Sequence, residues 1–255
     1  MTSPTSVLFI GHGNPMNAIT QNPYRDAWSQ FGRALPKPKA VLCVSAHWET
    51  PEPQVCVADP PRTIHDSYGF PAELFAQRYP APGAPQLAAR VQALAGAARV
   101  GLNSEWGLDH GAWCVLQSLF PQADVPVAQL SLAHSYAPAE HVDLARKLAP
   151  LRDEDVLILC SGNIVHNLRM LGGGATPGWA RDFDEYVRAA IVADDPAALI
   201  AYRNSGASWR FAVPSEEHYL PLLYAVGMRR PGDSVRFFAE GFDLASIGMR
   251  SVQFA

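Results

Sequence analysis

Ala40-Val41-Leu42-Cys43-Val44-Ser45-Ala46, followed at once by His47-Trp48-Glu49, is the stretch on which the fold turns. Seven residues without a charge, two of them β-branched valines, read as a strand buried on both faces. Such strands belong to parallel sheets that carry helices on either side. Working outward, runs of the same kind stand at Val7–Ile10, Val125–Leu132, Val156–Cys160 and Val235–Ala239. Helix-forming segments lie between them: Pro23–Leu35, Pro71–Arg78, Ala84–Ala97, His110–Phe120, Pro138–Leu148, Pro177–Val192, Pro196–Tyr202 and Glu216–Gly227. Several open with proline, which the first turn of a helix accepts. The 22 prolines and 19 glycines gather at the ends of these segments, and Pro51–Pro61 and Trp209–Pro214 read as loops over one face. No repeat and no long linker divides the chain. The sequence therefore predicts one α/β domain over residues 1–255, with a mainly parallel central sheet flanked by helices.

At 255 residues the chain can bury a large core, and 48% apolar with 17% charged residues is ordinary globular composition. A formal net charge of −4 and scattered basic residues give no reason to expect nucleic acid or an anionic membrane as partner. The N-terminal segment lacks a positive n-region, and Val7–Ile10 is too short for a signal or membrane segment. The four cysteines, Cys43, Cys56, Cys114 and Cys160, form no CxxC pair, so a reduced, cytoplasmic protein is expected. A G-x-S-x-G elbow and a G-x-G-x-x-G loop are both absent, which argues against a serine nucleophile and a dinucleotide site.

What remains distinctive is histidine. Ligands bind open α/β sheets beyond the carboxyl ends of the strands, and three histidine strings follow directly on apolar runs. Gly11-His12-Gly13-Asn14-Pro15 and Ser45-Ala46-His47-Trp48 are two; Ser161-Gly162-Asn163-Ile164-Val165-His166 is the third, with His166 expected on the first turns of a helix. Glu216-Glu217-His218-Tyr219 opens another predicted helix, where consecutive residues point about 100° apart, so only one of Glu217 and His218 should reach an ion. His218 is the choice and Glu217 the fallback. Imidazoles delivered by separate strands suggest a metal centre assembled by folding. Taken singly, each has a plainer reading as a turn, core or helix-end residue. Asp109 is placed to cap the helix that begins at His110, and His65 belongs to an aromatic loop. Trp48 reads as a pocket wall or as core. His134 and His141 are assigned surface or structural roles.

Together these strings, with His65-Asp66-Ser67-Tyr68-Gly69-Phe70-Pro71 and Leu108-Asp109-His110-Gly111-Ala112-Trp113, resemble the class III extradiol ring-cleavage dioxygenases, in particular the DOPA extradiol branch. Six strings in the family's order span nearly the whole chain. The resemblance implies a mononuclear non-haem Fe(II) centre, with Zn(II) known in the same pocket of some members, and a small catecholic substrate opened with dioxygen. It implies metal binding by His12, His47 and His218, in place of the two-histidine, one-carboxylate set of the protocatechuate-type enzymes. His166 takes the position of the acid–base catalyst, and in zinc-loaded relatives that of a fourth ligand; His110 takes that of a group contacting substrate or oxygen. His65, Trp48 and Tyr219 are assigned to substrate binding. A zinc hydrolase and a non-catalytic metal-binding protein remain as alternatives, and the oligomeric state is left open.

Overall fold

The computed structural model describes residues 3–255. The strands are β1 (Val7–Gly11), β2 (Ala40–Thr50), β3 (Gln54–Cys56), β4 (Gly101–Asn103), β5 (Val127–Ala133), β6 (Val156–Gly162), β7 (Val235–Phe238), β8 (Phe242–Asp243), β9 (Ile247–Gly248) and β10 (Ser251–Phe254). Eight of them form one sheet in the order β4-β3-β5-β2-β6-β1-β10-β7, and β8 and β9 pair separately. Its centre, β5-β2-β6-β1, is parallel throughout. Alternate residues of β1 show why those strands are uniformly apolar. Val7 and Phe9 join one buried cluster while Leu8 and Ile10 join the other, so no strand face meets water.

The helices are α1 (Pro23–Ala34), α2 (Ala72–Phe75), α3 (Pro85–Ala95), α4 (His110–Leu119), α5 (Pro138–Leu148), α6 (Gly178–Val192), α7 (Pro196–Ile200), α8 (Trp209–Ala212) and α9 (Leu220–Met228). α3, α5, α6 and α9 supply residues to the cluster under Val7 and Phe9, and α1 and α4 to the cluster under Leu8 and Ile10. The observed architecture is thus a single α/β domain with a mainly parallel sheet flanked by helices, as the sequence predicts. Local chemistry fixes the helix starts. Asn22 accepts hydrogen bonds from the backbone N–H groups of Tyr24 and Arg25 beside Pro23, and Asp109 accepts one from Ala112 N at 3.2 Å. Each such cap stabilises its helix by about 1 kcal/mol. Among the described residues no helix is long and apolar enough to cross a membrane.

Several boundaries differ from the sequence reading. The run predicted at Val235–Ala239 lies at the edge of the sheet, antiparallel to β10, because partly exposed strands at an edge need no parallel crossover. The loop expected at Pro51–Pro61 contains β3, and that expected at Trp209–Pro214 contains α8. The Pro71–Arg78 helix shrinks to the single turn Ala72–Phe75. Glu216–Gly227 becomes a turn followed by α9 from Leu220, so His218 sits before a helix and not on one. Finally, β2 continues four residues beyond Ala46 to Thr50. Its register against β5 shifts between Val44 and Glu49, so His47 falls in an irregular stretch inside the strand.

Candidate metal centre

Chain direction brings the histidines together. β1 and β6 run parallel, so Gly11 lies beside Gly162, and His12 N donates to Gly162 O at 3.0 Å just past the strand ends. In the neighbouring register Ser45 of β2 pairs Ser161 of β6, which sets His47 two residues further on beside them. His218 arrives from the far side. Its carbonyl accepts Asn163 N at 2.8 Å, and a Cβ on Gly162 would stand 2.2 Å from that oxygen. Glycine is required there because backbone meets backbone. At Gly111 a Cβ would come within 2.5 Å of Ser45 Oγ and 3.1 Å of the His47 ring, so the first turn of α4 also has to be bare.

One ligand atom from each of His12, His47 and His218 lies within 4.8 Å of the others. Nε2 of His12 stands 3.1 Å from Nε2 of His47. The opposite edge of each ring is spoken for. Ser161 Oγ lies 2.5 Å from the Gly111 carbonyl, which can only accept, so the serine proton goes there and Oγ accepts Nδ1–H of His12 at 3.0 Å. Nδ1 of His47 lies 3.2 Å from the Asp66 carboxylate, and Nδ1 of His218 donates to Glu217 Oε1 at 3.1 Å. Each arrangement favours the tautomer with a lone pair on Nε2. Two such lone pairs pointing at each other repel unless a cation or a proton stands between them.

Protons are disfavoured. Burial, and then the mutual repulsion of the rings, holds His12 and His47 well below the ordinary histidine value. Burial also lowers His218, against the pull of Glu217. The same burial, with His218 next, brings His166 down to about 3. The rings are neutral at pH 7, the form that binds a metal. The donor set therefore fits a divalent transition metal: nitrogen ligands with oriented partners behind them. Glu217 lies behind the His218 ring, and it also forms a group at ligand distance with His166 and His218. Burial would raise its carboxyl, but the hydrogen bond and charge of His218, with hydrogen bonds from Ser215 and its own backbone N–H, together outweigh this and hold it at about 2.

Asp66 escaped the sequence reading as a site residue. Its Oδ1 accepts the His110 backbone N–H at 3.0 Å and its Oδ2 accepts His110 Nδ1–H at 2.9 Å, while the same oxygen faces His47. Burial pushes its carboxyl up, but the bonds from His110 bring the net shift below the ordinary value. Ser161 was likewise missed as anything but a small turn residue. In both cases the only sequence signal is a polar residue inside a histidine string.

A cavity of about 430 Å³ opens over these groups, lined by His12, His47, His110, His166 and His218, with Asp66 among them. The His166 and His218 rings stack at 3.4 Å between centroids. His166 does not lie on a helix as expected; it bridges to Ile247, and its N–H bonds Ala212 O at 2.9 Å. Three residues assigned to substrate do not line the cavity. Trp48 follows His47 along a strand and so points the opposite way, stacked on Trp106 at 5.2 Å. Tyr219 turns into the core, its hydroxyl donating to Leu199 O at 2.9 Å. His65 packs its ring against Phe75 and Trp113, behind Asp66.

The family description "Catalytic LigB subunit of aromatic ring-opening dioxygenase" matches residues 3–255. Among known proteins the chain is similar to the 4,5-DOPA dioxygenase extradiol of Escherichia coli K12, 42% identical, covering 96% of this chain and 93% of that one. The protein of the same name from Beta vulgaris is 37% identical, covering 97% and 95%. A crystal structure of an uncharacterised Escherichia coli K12 protein superposes with a TM-score of 0.86 at 39% identity, covering 98% of this chain and all of the other.

Proposed function

Because the chain belongs to the family of the catalytic LigB subunit of aromatic ring-opening dioxygenases, we propose that it opens the ring of a DOPA-like catechol with dioxygen. In this reading residues 1–255 act as one catalytic domain, and His12, His47 and His218 hold a single metal ion. The observation that carries it is the 3.1 Å approach of two Nε2 atoms whose rings are both anchored through Nδ1. Fe(II) bound there would supply the one-electron steps that let a catechol react with dioxygen, whereas Zn(II), lacking a second oxidation state, would hold the substrate only.

The chain's own groups divide the remaining work. Held by His12, His47 and His218, a metal ion would keep positions free for the catechol oxygens and for dioxygen. His166 is neutral and faces the cavity beside His218, positioned to take the second phenolic proton and return it to the product. The negative charge of a bound catecholate would favour the protonated ring, offsetting the burial that holds His166 low. His110 is fixed through both its backbone N–H and its Nδ1–H by Asp66, and its Nε2 edge is the part left to meet charge developing on oxygen. Asp66 and Glu217 orient His47 and His218 from behind, and Ser161 orients His12. Cys43, Cys56, Cys114 and Cys160 are all buried free thiols, which supports a reducing, cytoplasmic setting.

Anaerobic loading with Fe(II), followed by catechol and then air, tests the reading. Dioxygen uptake with a yellow semialdehyde product is expected. Ester hydrolysis without dioxygen uptake would replace this reading with a zinc hydrolase, and no turnover of either kind would leave a binding protein.

A further inference from the structure

The first turn of α4 ties down more than its own histidine. His110 leans on Asp66, and the Gly111 carbonyl accepts the Ser161 hydroxyl that orients His12. Asp109, the residue before them, reaches the strand that carries His47. Its Oδ1 accepts the Ser45 hydroxyl at 2.6 Å as well as Ala112 N at 3.2 Å, and Ser45 Oγ in turn accepts the His47 backbone N–H at 3.3 Å. Its Oδ2 accepts the Gln129 side-chain amide of β5. A Cβ placed on Gly111 would lie 3.3 Å from Asp109 Oδ1 and 3.1 Å from the His47 ring, so carboxylate and ring flank one bare glycine. Capping alone does not call for this group, because asparagine or serine would cap α4 as well without a charge. Asp109 is wholly buried, and among the described residues no lysine or arginine acts on it. A buried charge without a partner is among the costliest groups a fold can carry. Burial, and then the Asp66 charge, push its carboxyl up to about 6 against the hydrogen bonds from Ser45 and Gln129, which leaves it ionised at pH 7.

Resting on the reading that His12, His47 and His218 share one ion, we propose that Asp109 is a positioning residue for that ion: its buried negative charge favours a dication among the histidines, and through Ser45 it holds His47 in place. The three imidazoles are neutral, so the ligands themselves bring no charge to balance a metal. Asp66 and Glu217 supply charge behind His47 and His218, but their side chains keep 16% and 22% of their surface in water. Asp109 keeps none, so its attraction for a cation is the least screened of the three. A bound dication would in turn offset the cost of holding that carboxylate ionised out of water.

Asp109→Asn separates charge from shape. The amide oxygen keeps the hydrogen bonds from Ser45 and Ala112, and the Gln129 amide can turn over to accept the new N–H, because Gln129 Oε1 now has no partner. Competition for Zn(II) between the protein and a chelating dye should show affinity falling about 10- to 100-fold, the range for an outer partner of a metal ligand. Metal-free protein should melt at the same temperature as wild type or higher, since a buried charge has gone. Asp195→Asn, the same change at the exposed cap of α7, should leave Zn(II) affinity unchanged. Ser45→Ala cuts the link to His47 and should cost about tenfold in affinity, and it carries the test should Asp109→Asn fail to fold. Unchanged affinity in the folded variants, or affinity lost only in step with a lower melting temperature of the metal-free protein, reduces Asp109 to a helix cap and overturns the proposal. Wild-type protein that takes up no Zn(II) would instead overturn the shared ion itself, and the role of Asp109 with it.

Discussion

Two sets of buried imidazoles behave differently in this molecule. At the carboxyl ends of β1, β2 and β6, several rings face one another across a cavity. Between α5 and α9 lies His141, completely buried and paired only with the Tyr224 hydroxyl at 3.1 Å, its Nε2 without a partner. Burial lowers both kinds. Burial takes His141 alone down to about 4, whereas His12 and His47 are depressed further by neighbouring rings, His218 and His110 foremost. Burial makes an imidazole neutral; convergence, with Nδ1 tied down and Nε2 aimed at a common point, makes it a ligand. His141 shares no ligand cluster among the described residues.

The sharpest way to break that contrast is to delete one ring of each kind. His12→Ala should weaken metal binding by more than roughly 100-fold, since loss of an outer partner alone costs about 10- to 100-fold. His141→Phe should leave metal affinity unchanged, as competition titration with a chelating dye would show. Acid stability separates the two sets next. At pH 7 folded and unfolded chains both leave His141 neutral. As pH falls below about 6.5 the unfolded chain takes a proton that the folded chain refuses until about 4. Stability is therefore lost across that window, by about 3 kcal/mol from this residue, and no further loss from it follows at lower pH. Urea titrations of metal-free protein at stepped pH should show His141→Phe removing that share of the slope.

Smaller changes sharpen the comparison. Gly162→Ala drives a methyl against the His218 carbonyl and should cost about 1–3 kcal/mol in thermal unfolding, with weaker metal binding as well. An equivalent effect on Leu220–Met228 packing without any change in metal affinity would show that His218 is not positioned through Gly162. Smallest is Ser161→Ala, which frees His12 Nδ1 and should lower metal affinity by about tenfold, the low end for an outer partner.

How much of this was legible depends on what each signal needs. Pro138–Leu148 coincides with α5, and the central strands are found because a run buried on both faces is apolar without interruption. β3, β4 and β10 are short and carry polar residues, so only their neighbours in the sheet define them. In the site, five histidines of the recognised strings do line one cavity. Trp48 and Tyr219 fall outside the cavity lining because adjacency in sequence to a site residue turns a side chain away from it. Asp66 and Ser161 could not be singled out, since which loop acid or strand-end hydroxyl lies behind a ring is settled by the register of β2 and β6 and the start of α4.

The central claim is that His12, His47 and His218 share one ion. X-ray absorption at the metal edge, on protein loaded with Zn(II) or Fe(II), measures this directly. The account predicts one ion per chain with at least three imidazole nitrogens, at about 2.0–2.1 Å for zinc, and one fewer in His218→Ala. An unchanged imidazole count in that variant, or a shell of oxygen or sulfur alone, would contradict it.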